Sequence, residues 1–187
     1  TNTQPQRKLG RNIDVILTAQ FFSNALVKVS KEDKALKEEM EKALAVCTDK
    51  IQRGQDGDGG WKDGGWAPVL QSALANNALE SAQDRGVQVD SAVLRKSRDY
   101  QKSNYDVKTN SAVTGKAAGV LLYSVSGSAR ASAREAREAQ EKIKKAKKEG
   151  KLRDDAPVTE ENLVRAGYSS TEAKKMATAV KIRGAAT

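Results

Sequence analysis

The residues of this chain whose types and spacing best fit a metal site are three aspartates in a glycine-rich stretch. Residues 55–65 read Gln-Asp-Gly-Asp-Gly-Gly-Trp-Lys-Asp-Gly-Gly, which places Asp56, Asp58 and Asp63 within eight residues. Closely spaced carboxylates are typical of Ca²⁺ loops, but no bidentate Glu stands at the spacing that a known Ca²⁺ loop requires. Asp and Gly are also common in tight turns. We therefore expect a turn here, with no metal and no cofactor.

The side chains available for catalysis are few. The chain has no His, and Cys47 is its one cysteine. Since His is the commonest general base and a common metal ligand, Ser-His-Asp and Cys-His relays within this chain are excluded. An internal disulfide is excluded as well. The sequence assigns no catalytic residue and leaves open whether the protein is an enzyme.

The positive charge of the chain is concentrated in one segment. The chain has 33 Lys and Arg against 24 Asp and Glu, and residues 130–153 hold ten basic and four acidic side chains. Such a run could bind nucleic acid or an acidic membrane, but it lacks aromatic residues for base stacking. We expect a solvated outer helix instead, and no nucleic-acid partner.

No apolar run is long enough to span a membrane. The sequence begins at Thr1, so a signal peptide removed earlier stays possible. The compartment in which the protein resides is not indicated.

Helical periodicity runs through most of the chain, and low-charge segments alternate with charged ones. The low-charge helices are predicted over about 13–29, 68–82 and 111–125, and the charged ones over about 30–53, 90–102 and 129–149. Two short helices follow Pro157, and residues 1–11 are expected to be frayed. The predicted helix caps are Ser30 with Asp33, Asp90, Thr159, and Ser169 with Glu172. We expect the low-charge helices to be covered on both faces, as an inner layer inside the charged ones.

A weak repeat supports this layered interpretation. The stretch Asn24-Ala25-Leu26-Val27 recurs 53 residues later as Asn77-Ala78-Leu79-Glu80. Periods of this length are typical of arrays of helical hairpins. Polar residues on the low-charge segments are candidates for lining a ligand pocket, or alternatively for polar contacts between packed helices: Gln20, Asn24, Trp66, Gln71, Asn77, Asn110 and Lys116.

The segment Gln55-Asp56-Gly57-Asp58-Gly59-Gly60-Trp61 resembles the Gln-x-x-x-Gly-x-Trp repeat of the terpenoid cyclase and protein prenyltransferase superfamily. Within it, the chain is similar to the bacterial prenyltransferase and squalene oxidase repeat proteins. Ile51 takes the bulky position four residues before Gln55, whereas the basic-Gly pair upstream of the family motif is missing. Tyr100-Gln101 and Asn104-Tyr105 look like a second, decayed copy.

The resemblance implies an all-α fold, an α/α-toroid-like array of at least three helical hairpins that forms an incomplete ring. It also implies that Gln55, Gly59 and Trp61 are structural: the Gln amide bonds the backbone at a helix end, and the Trp stacks against it. We expect residues 1–153 to form the toroid repeat domain. Residues 154–187 are expected to form a small helical tail or the start of further repeats.

The departures from the family guide the functional prediction. The Asp-x-Asp-Asp site of the cyclases is absent, no His is present to complete the zinc site of the prenyltransferases, and the Cys-Gly-Glu-Gln motif of the thioester toroids is missing. We therefore predict a non-catalytic binding or scaffold piece, which pairs with a protein partner or with itself through the exposed toroid ends. The alternative is part of an isoprenoid-type enzyme, terpene cyclase or prenyltransferase-like, whose catalytic residues lie outside this chain.

Overall fold

Helices form almost all of the regular structure in the computed structural model, which describes residues 3–30, 32–63, 67–106, 108–109, 111–113 and 121–185. The helices are α1 (Gln4–Leu9), α2 (Ile13–Ala25), α3 (Lys34–Arg53), α4 (Pro68–Asp84), α5 (Ser91–Ser103), α6 (Leu121–Lys148), α7 (Glu160–Arg165) and α8 (Ser170–Ala185). Two short strands, β1 (Tyr105–Asp106) and β2 (Ser111–Ala112), pair antiparallel between α5 and α6. The all-α prediction is confirmed.

Several helix starts follow the local sequence as predicted. Asp90 Oδ1 accepts a hydrogen bond from the Ala92 N–H at 2.7 Å, and Thr159 Oγ1 caps α7 in the same way. Ser169 and Glu172 form a reciprocal capping box before α8, since each side chain accepts from the other residue's backbone N–H. These caps satisfy N–H groups that have no partner within the helix.

Two predictions about the N-terminal part are wrong. Residues 4–9 are helical rather than frayed, because Thr3 and Gln6 form a capping box that supplies partners for the first turn. The second predicted helix starts later than expected, at Lys34, and its Asp33 N-cap makes no side-chain cap. Ser30 accepts instead from the Glu32 N–H, so it stabilises the turn before the helix.

The largest difference from the sequence-based prediction lies between residues 111 and 129. Ser111 and Ala112 pair with β1 instead of opening a helix, and α6 runs without the predicted break between Val125 and Ala129. A Cβ atom at Gly127 would stand 2.7 Å from Gln101 Oε1 and 3.2 Å from Ala73 Cβ. The glycine therefore serves close helix packing and does not end the helix.

The helices pack in an order that follows the chain. α2 contacts α3 and α4, α4 also contacts α5 and α6, and α6 contacts α5 and α8. The low-charge helices α2 and α4 are thus in direct contact, as predicted, while α3 packs against both. The predicted close contact of Gly115 and Gly119 with a neighbouring helix lies outside the described residues.

Two separate groups of buried apolar side chains hold these helices together. The N-terminal core runs from Ile16 to Leu94 and joins α2, α3, α4 and the start of α5 around Trp61. The C-terminal core runs from Ala139 to Ala177 and joins the second half of α6 to α7 and α8. The C-terminal core therefore contains residues on both sides of position 153, where the tail was predicted to begin.

Candidate functional site

Trp61 lies at the centre of the contact between the end of α3 and the start of α4. Its side chain is fully buried in the N-terminal core, and its indole Nε1–H donates to the Ile51 carbonyl at 2.8 Å. Ile51 belongs to the last turn of α3, and its carbonyl also accepts from the N–H of the C-cap residue Gly54 at 3.1 Å. Trp61 therefore adds a large apolar surface and a second hydrogen bond at this end of α3.

Two side chains of α4 bind the backbone of Trp61. The Ser72 hydroxyl accepts from the Trp61 N–H at 2.8 Å, and Gln71 Nε2 donates to the Trp61 carbonyl at 2.7 Å. Gln71 Oε1 also accepts from the Asn12 N–H at the start of α2, at 3.1 Å. One buried amide thus ties the loop to two helices with both of its polar atoms paired.

Gln55 ties the same loop to α5. Its Nε2 donates to the Gly59 carbonyl at 3.1 Å and to the Val93 carbonyl at 2.9 Å. The residue that reaches the carbonyl end of α3 is therefore Trp61, whereas Gln55 bonds the loop and the first turn of α5. We call Gln55, Trp61, Gln71 and Ser72 the Trp61 junction.

Gly59 occupies a position in this junction that only glycine fits. Its φ is +93°, and a Cβ atom would stand 2.3 Å from the Lys96 carbonyl oxygen of α5. A Cβ atom at the neighbouring Gly60 would stand 2.8 Å from the Tyr100 ring. Burial raises the pKa of the Tyr100 hydroxyl, and its hydrogen bond with Ser72 opposes that shift.

The three aspartates of the loop are used within the protein. Asp56 Oδ2 accepts from the Lys62 N–H at 2.7 Å, Asp58 pairs with Lys62 Nζ at 2.7 Å, and Asp63 pairs with Arg11 at 3.0 Å. Desolvation opposes ionisation of Asp58, but hydrogen bonds from Lys62 and the Gly60 N–H outweigh it and lower the pKa of this carboxyl. The described residues contain no group of three metal-ligating side chains.

The polar residues predicted to line a pocket do not gather in one place. Gln71 is fully buried in the Trp61 junction, Gln20 donates to the Leu74 carbonyl at 2.9 Å, and Asn24 is exposed on α2. Asn77 is half-buried, whereas its neighbour Asn76 is buried. The remaining three candidates, Trp66, Asn110 and Lys116, lie outside the described residues.

One cavity of about 180 Å³ lies between α4 and α6. It is lined by Leu70, Ala73, Leu74, Ser126, Gly127 and Arg130. None of the four described candidates is in its wall, although Gln20 bonds the backbone of Leu74.

An exposed apolar stripe on α2 was missed by the sequence analysis. Leu17 and Phe21, one helical turn apart, are 45% and 63% exposed, and Val27 just after the helix is exposed too. The expectation that both faces of this helix are covered is therefore wrong. Among the described elements α2 contacts α1, α3 and α4, and these contacts leave Leu17 and Phe21 exposed. The sequence gives no signal for this, because an apolar residue looks the same with or without a neighbouring helix.

A group of charged residues that joins α5, α6 and α8 was missed as well. Glu135 pairs with Lys102 at 2.8 Å and with Lys175 at 3.3 Å, and both lysines also reach Asp99, at 3.2 and 3.4 Å. We call these four residues the ion cluster. Glu135 belongs to the basic run, where it was expected to be solvated, but its side chain is only 7% exposed.

None of the helices in the described ranges combines the length and the apolar character needed to cross a bilayer. Comparison with protein-family models, with curated proteins and with solved structures finds no match to this chain.

Proposed function

We propose that this chain is a non-catalytic scaffold or binding piece, built on an α/α-toroid-like array of helical hairpins. The order of helix contacts supports the array: α2 packs on α4 and α4 on α6, with α3 and α5 each packed against two of them. The junction at Trp61 supports the resemblance to a Gln-x-x-x-Gly-x-Trp repeat. Gln55 and Trp61 donate hydrogen bonds to carbonyls of α5 and α3, and Gly59 packs closely against α5.

The observation that carries the proposal is the exposed stripe of Leu17 and Phe21. In an array, each helix is covered by the next unit, and an end unit normally presents a polar face to water. α2 does not, since its uncovered face presents two large apolar side chains. Burying the parts of these two side chains that are still exposed would contribute roughly 1.5–3 kcal/mol in total to association.

The partner we propose for this stripe is a second copy of the chain. The stripe itself carries no charge, so two copies can meet there without placing like charges in direct contact, although the chain has a net charge of +9. The covered face of α2 already packs against a low-charge helix, α4, which shows that helices of this composition fit together.

The experiment is a concentration series of the full chain by light scattering or sedimentation. We expect a mass that rises with concentration toward a dimer, and the double variant Leu17→Ser with Phe21→Ser should stay monomeric. The matched control is Leu36→Ser with Val46→Ser, which removes two exposed apolar side chains from α3. A monomeric wild-type chain at every concentration, or equal loss of association in both double variants, would contradict the proposal.

The alternative is part of an isoprenoid-type enzyme, and the mostly apolar cavity between α4 and α6 is the observation that favours it. Leu70 and Leu74 supply an apolar wall, and Arg130 supplies a cation beside it. At about 180 Å³ the cavity is below the size range of typical small-molecule sites. Turnover of a polyprenyl or squalene-like substrate that Leu74→Trp abolishes would support this alternative over the scaffold.

A further inference from the structure

The two apolar cores of the molecule do not meet. The N-terminal core extends as far as Leu94 in α5, and the C-terminal core begins at Ala139 in α6. The two clusters have no residue in common. α5 and α6 nevertheless contact each other, and the described residues of these two helices that are buried between the two positions are polar side chains together with Tyr100, Ala131 and Ala136.

The polar part of the contact between α5 and α6 is a stripe of side chains on each helix. We call them the polar seam, and all six side chains are almost completely buried: Ser97, Gln101 and Asn104 on α5, with Ser124, Ser128 and Ser132 on α6. Within each helix the spacing of three or four residues places them on one face. The Ser128 hydroxyl donates to the Gln101 carbonyl at 2.5 Å, which brings the middles of the two stripes together.

Most polar atoms of the seam have no hydrogen-bond partner in the described part of the chain. These atoms are Ser97 Oγ, Gln101 Nε2 and Oε1, Asn104 Oδ1, Ser124 Oγ and Ser132 Oγ. A buried polar atom without a partner loses its hydration and gains nothing in exchange, so it destabilises the closed arrangement. Separating the two helices would return these atoms to water.

Ion pairs also join α5 to α6 beside the polar seam. The ion cluster joins α5 to α6 and α8, with Lys102 only 11% exposed where it meets Glu135. Arg134 of α6 adds contacts to Gln83 at 2.8 Å and to Asp84 at 3.1 Å, at the end of α4. Ionic contacts therefore contribute to the attachment of α6 to the preceding helices.

We propose that α6, α7 and α8 open as one unit from α2–α5 along the polar seam, with the ion cluster as the latch. The C-terminal core keeps the three helices together during opening, since it lies entirely within them apart from the residues linking α6 to α7. Opening hydrates the unpaired seam atoms, which offsets part of the lost packing. Salt weakens the latch by screening, less strongly than it would an exposed pair.

The test is native-state hydrogen exchange of the full chain, followed by mass spectrometry. We expect the amides of α6–α8 to exchange through a common opening, about tenfold faster than those of α2–α4. Raising the NaCl concentration should speed the exchange of α6–α8 and leave that of α2–α4 unchanged. A single free energy of opening for the whole chain would overturn the proposal.

The seam is tested by the triple variant Ser97→Ala, Ser124→Ala and Ser132→Ala, which removes three unpaired hydroxyls. It should slow the exchange of α6–α8 about tenfold or more and leave α2–α4 unchanged. Ser23→Ala is the matched control, because Ser23 is equally buried and unpaired but lies on α2, away from the seam. If the control slows α6–α8 as much as the triple variant does, the seam is not where the molecule opens.

Discussion

The Trp61 junction and the polar seam join consecutive helices with similar side chains, yet they differ in how well their polar atoms are paired. At the junction, Gln71 uses both of its amide atoms. In the seam, the side-chain atoms of Gln101 have no partner although the residue is equally buried. The contribution of a buried amide is therefore set by its surroundings and not by its burial.

The backbone of the Trp61 loop explains the difference. That loop places the N–H and C=O groups of Trp61 where Ser72 and Gln71 can reach them. Between α5 and α6 the Gly-x-Trp sequence is absent, and the short β1–β2 pairing follows α5 instead. Asn104 bonds the Tyr100 carbonyl of its own helix, so it ties no loop to a neighbouring helix. Among the residues that the structure describes, the polar side chains buried between α5 and α6 therefore have no loop backbone of this kind within reach.

The comparison is tested most strongly at Trp61. Trp61→Ala should lower the free energy of unfolding by about 3–5 kcal/mol, because it leaves a large cavity and removes one of the two donors to the Ile51 carbonyl. Trp61→Phe keeps most of the apolar surface, so its loss should be smaller, about the value of the one hydrogen bond that the indole N–H makes. Urea unfolding followed by circular dichroism measures both, and an unchanged stability of Trp61→Phe would contradict a role for the indole N–H.

The ion cluster tests the other side of the comparison. Glu135→Gln leaves Lys102 nearly buried without its closest carboxylate, so we expect a loss of about 3 kcal/mol in the free energy of unfolding of α6–α8. The control is Glu161→Gln, which removes an exposed i,i+4 pair with Arg165 and should change stability by less than about 0.5 kcal/mol. Urea unfolding read by hydrogen exchange separates the two parts of the molecule. Equal effects of the two variants would mean that the cluster is not a latch.

A matched pair of substitutions compares the two regions directly. Gln71→Met leaves the Asn12 N–H without a partner and the Trp61 carbonyl with only the 3.5 Å contact from the Ser72 hydroxyl, and we expect it to destabilise the protein by about 2 kcal/mol. Gln101→Met removes two atoms that have no partner, and we expect it to be neutral or to stabilise by about 1 kcal/mol. The side chains exchanged are the same in both variants, so urea midpoints can be compared without correction. Similar losses at both positions would mean that Gln101 is paired in solution.

Local sequence patterns predicted the helices well, because periodicity and caps act within one segment. Asp90, Thr159 and Ser169 cap helices as their sequence context indicates. The break predicted between Val125 and Ala129 was wrong, because a glycine that ends a helix and one that allows close packing, as Gly127 does, look alike until the neighbouring helix is known.

The pairing of polar side chains depends on the neighbouring helix and could not be predicted in the same way. Gln71 lies on a low-charge helix and Gln101 on a charged one. The pattern of neither helix tells whether the amide of its glutamine is paired. The exposed Phe21 shows the same limit for apolar residues. The sequence indicated which side chains can interact, whereas the tertiary packing determined which of them do.

The smallest effect is expected at Asp58, whose carboxylate accepts from Lys62 and from the Gly60 N–H in the loop of the Trp61 junction. Because the pKa of this carboxyl is lower in the folded state, its contribution is present above the pKa of the unfolded chain and is lost as the pH falls through the folded value. The group is well exposed, so the contribution is below about 1 kcal/mol. Asp58→Asn should lower stability slightly at neutral pH and leave it unchanged in acid, where both chains carry an uncharged side chain. Urea midpoints measured from neutral to acidic pH test this, and a difference that grows as the pH falls would show that Asp58 is not stabilised in its charged form.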